Sequence, residues 1–389
     1  MPLSDLTVLE LAGVLAGPGV GMFLAELGAR VIKVENPATG GDVTRSWTLG
    51  DADSTDGSEP AGPSPYFAAV NWGKESVALD FANPADLEAA RRLAARADIV
   101  LVSYKPGDAA EFGLDYDSVA AGNPGVVYAE ITAYGPDVER VGYDAVIQGE
   151  TGFTHLNGEP DGPPLKLPVA LMDVLASHQL KQAVLLALLR RERTGEGSNV
   201  SVSLVRSGLA ALVNQASNWL VGGVNPDRLG SGHPNIVPYG SSYATADGSR
   251  LVLAVGTDRQ FEGLCRALGR PELASDRRFA TNPDRVAHRA ELEALLAARL
   301  AEFDRDELLA DLATRGVPAG PILDVRDALA RPAAAPLLLR ATSRESGELA
   351  GIRSVAFEPS DLFAPRPLAP PPALGAHTEA VLRELSGSA

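Results

Sequence analysis

Asp173 is the residue whose type and setting best suit nucleophilic chemistry. It lies in PVALMDVLASHQLKQAVLLALLRR, where an apolar run over residues 167–172 leads into a helical pattern that ends near residue 193. A carboxylate at a helix start faces unpaired backbone N–H groups and the positive end of the helix dipole. It is therefore expected to stay ionised at neutral pH, as an attacking carboxylate must. On the local residues alone an ordinary helix cap, a role that Asp commonly fills, is the simpler reading, and the nucleophile stays open beside it. The histidines offer no rival centre. His178 lies about 140° round the helix from Asp173. His155, His233, His288 and His377 show no metal-ligand spacing, and no Ser–His–Asp arrangement or metal site is expected.

The elements that must hold such a residue follow from pattern. Apolar runs at 6–11, 31–35, 99–102 and 126–131 alternate with helical patterns at 19–27 and 85–97, which predicts a mostly parallel sheet covered by helices. The helix from Asp173 is followed by a TGEGS turn, a strand over 199–204 and a helix over 207–220. The Gly/Pro/Asn-rich stretch 221–238 reads as a linker. A smaller α/β unit then has a strand at 250–255 and helices near 259–268 and 289–303. The chain from 331 is Pro-rich and irregular up to a helix at about 379–385. The segment 50–65 reads as a mobile surface loop.

Composition narrows the function. The 389 residues are 45% hydrophobic, and 34 Lys and Arg stand against 50 Asp and Glu, a formal net charge of −16. Nucleic acid and anionic membrane would repel such a chain, so neither is expected as a partner. The single cysteine, Cys265, rules out an intrachain disulfide. With no leader-like N-terminus and no run near the ~20 apolar residues of a membrane span, a cytoplasmic location is expected. The Gly13–Gly21 turn, GVLAGPGVG, imitates a dinucleotide fingerprint, but no G-x-G-x-x-G starts there and Pro18 lacks an N–H. A tight turn that packs its helix on the sheet explains these glycines better.

Several stretches together resemble the family III CoA-transferases, a group that includes carnitine-CoA transferases and α-methylacyl-CoA racemases. They are VLELAGVLAGP with ELGARVIKVENP; GDVTRSW; VNWGKESVALDF; ADIVLVSYKPGDAAEFGLDYD with NPGVVYAEITAYG and GYDAV; and the Asp173 segment with RRERTGEGSNVSVSL. HPNIVPYGSSYATADG, GVPAGPILDV and PPPALGAHTEAVL extend the likeness through the rest of the chain. The resemblance implies an α/β fold: a Rossmann-like CoA-binding domain over 1–220, the linker 221–238, a small domain over 239–325, and a segment 326–389 that returns to the large domain. It also implies an interlocked homodimer.

The same resemblance implies transfer of CoA from an acyl-CoA to a free carboxylic acid, with Asp173 forming first an anhydride and then an aspartyl-CoA thioester. CoA would be a substrate, and no permanently bound cofactor is expected. The family's CoA contacts fall on Val14, Leu15, Leu79, Asp80, Phe81, Ala82, Ser103, Tyr104, Lys105, Tyr143 and Asp144. For Leu79 and Phe81, strand packing is an equal alternative. Because CoA is anionic and the chain is acidic, local cations must meet its phosphates, and Lys33, Arg45, Lys74 and Lys105 are the candidates.

Departures from the family pattern sort its branches. Racemases of this kind carry histidine where this chain has Tyr143, and a phenol is a poor proton acceptor at neutral pH. Leu15 replaces the glutamine of the formate and oxalate branch. The stretch 235–239, NIVPY, resembles a succinate-using branch, and His233 just before it is a candidate substrate contact. The alternatives left open are an acyl-CoA racemase or epimerase and a non-catalytic scaffold that binds CoA thioesters.

Overall fold

The computed structural model describes residues 1–49, 62–343, 347–361 and 363–387. Most of the loop expected at 50–65 therefore lies outside the described residues. The chain divides into two compact units. The first comprises Met1–Thr151, Pro168–Leu212 and Ala333–Ala389; the second comprises Gly152–Leu167 and Val213–Pro332. The expected boundaries differ in three ways. The second unit begins at 213, before the expected linker, it runs to 332 rather than 325, and it takes a short excursion from the middle of the first.

The first unit is built on six parallel strands: β1 (Thr7–Leu11), β2 (Arg30–Glu35), β3 (Lys74–Ala78), β4 (Ile99–Val102), β5 (Val127–Thr132) and β6 (Ser198–Ser203), in the order β3-β2-β1-β4-β5-β6. This is the strand order of a doubly wound, Rossmann-like sheet, whose order reverses between β1 and β4. The sheet core joins Leu9, Leu11, Val100 and Val102 to Ala90 and Leu93 of helix α2 (Pro84–Arg96) and to Val381 and Leu385 of the C-terminal helix Thr378–Ser386. Parallel strands covered on both faces need such near-continuous apolar runs, and IVLV in β4 is wholly buried.

The glycines after β1 belong to helix α1 (Ala16–Glu26), every residue of which is buried. A Cβ on Gly21 would lie 1.8 Å from Oε2 of Glu10, so only glycine lets α1 sit on that carboxylate. The tail is less irregular than expected. β10 (Leu338–Ser343) and β11 (Gly347–Ile352) pair antiparallel, and Leu339 packs with Trp72, Met22 and Leu368. The expected helix 207–220 is two pieces, Leu204–Ala210 and Val213–Leu220, interrupted where Val213 takes φ 43°.

Taken by itself, the second unit has a three-stranded antiparallel sheet of β7 (Tyr239–Ala244), β8 (Arg250–Ala254) and β9 (Ala319–Pro321). Its core includes Phe261, Leu264, Leu296 and Leu312. Among the described residues no helix is long and apolar enough to cross a membrane.

Candidate active site

In the first unit a cavity of about 850 Å³ opens at the carboxyl ends of β1, β2, β4 and β5. It spans the point where strand order reverses between β1 and β4, the position at which open α/β sheets bind ligands. The loop after β1 contributes Gly13 and Val14, and the loop after β4 contributes Ser103, Tyr104 and Lys105. Tyr143 and Asp173 complete the wall.

Asp173 reaches this cavity because of how its helix begins. Helix α4 (Leu171–Thr194) buries a stripe that includes Asp173, Ser177, Leu180 and Val184, and it stops at Gly195 in the left-handed conformation. Its own N-cap residue, Ala170, supplies no capping side chain. The cap comes from Asp144, at the start of helix α3 (Asp144–Glu150), whose carboxylate accepts from the N–H of Met172 at 2.7 Å and from Nε2 of Gln148 at 2.7 Å. The helix start thus holds two acidic side chains, with Asp144 on one of the free N–H groups.

That arrangement corrects the expected charge state of Asp173. Burial, to 9% exposure, and then the neighbouring charge of Asp144 push its carboxyl up to about 7. Among the described residues it has no ion pair. At neutral pH it is balanced between acid and carboxylate rather than firmly ionised. Tyr66 shares the neighbourhood: burial, and after it the charges of Asp173, Asp144 and Asp42, hold its phenol above the ordinary value. Nothing in the sequence singled out Tyr66, which lies over a hundred positions from Asp173 along the chain.

Of the expected CoA contacts, Val14, Ser103, Tyr104, Lys105 and Tyr143 line the cavity. Leu15, Leu79, Asp80, Phe81, Ala82 and Asp144 do not. Leu79 is 1% exposed in the sheet core, Asp80 accepts from the N–H of Ala82 and takes part in the turn into α2, and Asp144 is the cap of α4. Phe81 reaches the wall indirectly, edge-on to Phe112 at 5.1 Å, which is itself edge-on to Tyr104 at 6.0 Å. His233 lies in the second unit, its ring against Tyr239 at 5.2 Å.

Three of the four cations expected at the phosphates are instead internal. Lys33, 1% exposed, donates to Glu10 and to the carbonyl of Ala12 and pairs with Asp42 at 3.0 Å. Lys74 donates to both oxygens of Glu10 and to the carbonyl of Pro18. Arg45 forms a two-pronged bond to Glu35 and lies over the ring of Phe67. The β1–β2 register accounts for the first of these pairs, since it sets Glu10 directly beside Lys33. Only Lys105 of the four is exposed on the cavity. Arg140, which joins it on the wall and bonds Glu150, was not anticipated.

A family model described as CoA-transferase family III matches residues 3–378. The chain belongs to family III of the CoA-transferases. A relative from Agrobacterium fabrum, named succinate–glutarate CoA-transferase, is 40% identical over 99% of this chain and 96% of its own length. A succinyl-CoA:glutarate CoA-transferase from Mus musculus is 35% identical over 99% of this chain and 86% of its own. Among solved structures, a CAIB/BAIF family protein from Brucella suis superposes with a TM-score of 0.84, at 41% identity and 99% coverage of both chains. The transferase is thus an enzyme acting on acyl-CoA and carboxylic acids, and its mixed α/β architecture is that of these relatives.

Proposed function

We propose that Asp173 is the nucleophile of this transferase and that the cavity beside it receives the acyl-CoA. The observation that carries the reading is the placement of one buried carboxylate, unpaired among the described residues, on the wall of the cavity at the sheet's switch point. A carboxylate with a raised pKa is more basic than an exposed one, and so a stronger nucleophile once deprotonated. It attacks the thioester carbonyl, forming an aspartyl–acyl anhydride and expelling CoA thiolate. The thiolate attacks the aspartyl carbonyl, giving aspartyl-CoA thioester and releasing the first acid as its carboxylate. The incoming carboxylate attacks that thioester, forming a second anhydride and freeing the thiolate again. The thiolate then takes the new acyl group and returns Asp173 as carboxylate. Each step exchanges one carboxylate or thiolate for another, so no net proton, oxidant or metal enters the balance.

Val14, Ser103, Tyr104, Lys105 and Tyr143 are the proposed contacts to the CoA thioester, with Lys105 and Arg140 offering the positive charge that its phosphates require. The names of the relatives support a dicarboxylic acid, such as succinate or glutarate, on one or both sides of the exchange. We further propose a cytoplasmic homodimer. The exposed Leu185, Leu186 and Leu189 on α4 are the kind of apolar surface a second copy would cover, and light scattering reads the mass directly. The chemical test is mass spectrometry of the protein incubated with succinyl-CoA or glutaryl-CoA and quenched with hydroxylamine. A hydroxamate on the peptide carrying Asp173 is expected. A folded protein that binds CoA but acquires no hydroxamate from either donor would sink the covalent mechanism.

A further inference from the structure

We infer that Asp42 is a positioning residue for the cavity: its carboxylate holds the Gly13–Val14 turn in a backbone shape that valine resists, and so sets the wall that Val14 presents. Val14 has φ 68°, the left-handed region that a β-branched residue rarely enters. Such a conformation persists only where the surroundings over-determine it. Here they do so from two sides. The N–H of Val14 donates to both carboxylate oxygens of Asp42, at 3.3 and 3.2 Å, and the N–H of Gly13 donates to Oγ of Ser103 at 3.1 Å.

Asp42 can exert this hold because it is itself fixed. Its side chain is 1% exposed, pairs with Lys33 at 3.0 Å and accepts from the N–H and hydroxyl of Thr44 at 3.0 and 2.8 Å. Lys33 is anchored on Glu10, which Lys74 also holds. A chain of buried charges thus runs from Glu10, near the carboxyl end of β1, to the lip of the cavity and ends on one strained peptide. Both N–H groups of the turn are bonded to protein oxygens, so the wall meets a ligand with the side chain of Val14 rather than with backbone donors. The Asp of the GDVTR stretch acquires a role that its sequence setting did not reveal.

The functional part of this inference rests on the reading of the cavity as the acyl-CoA site. The test is a double-mutant cycle of Asp42→Ala and Asp42→Asn with Val14→Gly, read as KM for the acyl-CoA and as kcat. Asp42→Ala is expected to raise KM by ~10-fold or more, a loss of about 1.4 kcal/mol of binding, with a smaller change in kcat. Val14→Gly alone removes the side chain that faces the ligand and should itself raise KM, but on that background Asp42→Ala should cost no more than ~3-fold further, because glycine takes positive φ unaided. Asp42→Asn, which keeps one acceptor oxygen, should fall between. A general loss of stability would cost the same on either background, so an equal KM penalty with and without Val14→Gly overturns the inference. If Asp42→Ala does not fold, the Asn cycle decides, and a coupling below ~2-fold has the same meaning. If the native protein neither binds nor turns over any acyl-CoA, the cavity reading fails separately. The hold on Val14 is then judged from urea unfolding of the same six proteins, where additive effects overturn it.

Discussion

Glu10, Glu35 and Asp42 are buried beside Lys33, Lys74 and Arg45, whereas Asp173 is buried beside another acid, Asp144. Burial penalises a carboxylate in both regions. In the first, the cations and hydrogen bonds outweigh it: Asp42 and Glu35 are held below the ordinary carboxylate range despite desolvation, by Lys33 and Thr44 in one case and by Arg45 and Lys33 in the other. Lys33 in turn overcomes its own burial through Glu10, Asp42 and Glu35 and is held above the ordinary lysine value. In the second region no cation among the described residues compensates, and burial and then the charge of Asp144 raise the carboxyl to about 7. Paired charge builds a fixed frame under the cavity, and unpaired charge leaves a group ready to form a bond.

The largest effect that can break this contrast is Asp173→Asn. Transfer between acyl-CoA and free acid should fall by ~10⁴-fold or more, since the amide cannot form the anhydride. The same change should make the protein more stable. The folded-state pKa is raised, so the buried carboxyl costs nothing below about pH 4, an increasing amount between 4 and 7, and a constant amount above. The raised carboxyl corresponds to a ceiling of roughly 4 kcal/mol. Urea unfolding at pH 8 and at pH 4 checks this: a gain of roughly 2–4 kcal/mol at pH 8 should vanish at pH 4. Equal stability of the two proteins at pH 8 would mean that Asp173 is not held against its charge.

The opposite sign is expected across the sheet. Lys33→Met removes the cation shared by Glu10 and Asp42 and leaves two buried carboxylates short of a partner. The cost should be about 3–5 kcal/mol by urea unfolding at pH 7. Because the pKa values of Asp42 and Glu35 are lowered in the folded state, the stability they contribute is present at neutral pH. It is lost as the pH falls through and below the ordinary carboxylate range. The native protein should therefore lose more stability than the Lys33→Met variant between pH 6 and pH 3. A parallel decline would show that the network does not hold these carboxylates ionised.

This contrast also marks how far the sequence could be read. The parallel sheet, the helix that carries Asp173 and the strand ends around the site were legible, because IVLV, RVIKVE and the 172–187 stripe carry the periodicities that burial on both faces or on one face demands. The partners of the charges were not. Lys33, Arg45 and Lys74 look like surface cations in a linear reading, and only the register that sets Glu10 beside Lys33, with glycine at 21 making room, shows them to be internal. The ionisation state of Asp173 is not legible in the sequence for a related reason. A helix start favours one negative charge, but α3 had already delivered Asp144 to the N–H of Met172. The antiparallel pairing of β10 and β11 is not legible because LLRATS and GELAGI are short runs without clear apolar alternation, set between the prolines at 332 and 336 and those from 359 onward.

A milder change sharpens the same comparison within the pair of acids at the helix start. With Asp173 near 7, kcat/KM should fall about tenfold per pH unit below that value, since the attacking form is the carboxylate. Asp144→Asn keeps an oxygen that can accept from Met172 and so preserves the cap, but it removes the charge beside Asp173. Burial is the larger cause of the raised pKa and remains, so the acid limb of the profile should move down by only about one pH unit. A lower limb has a second consequence: a less basic carboxylate is a weaker nucleophile, so the plateau rate above pH 8 should decline by a few-fold, roughly. A limb that stays near 7 with an unchanged plateau would assign the whole shift to burial and leave Asp144 as a helix cap alone. A limb that moves down while the plateau declines would make the second acid the means by which this helix start carries a reactive carboxylate rather than a settled one.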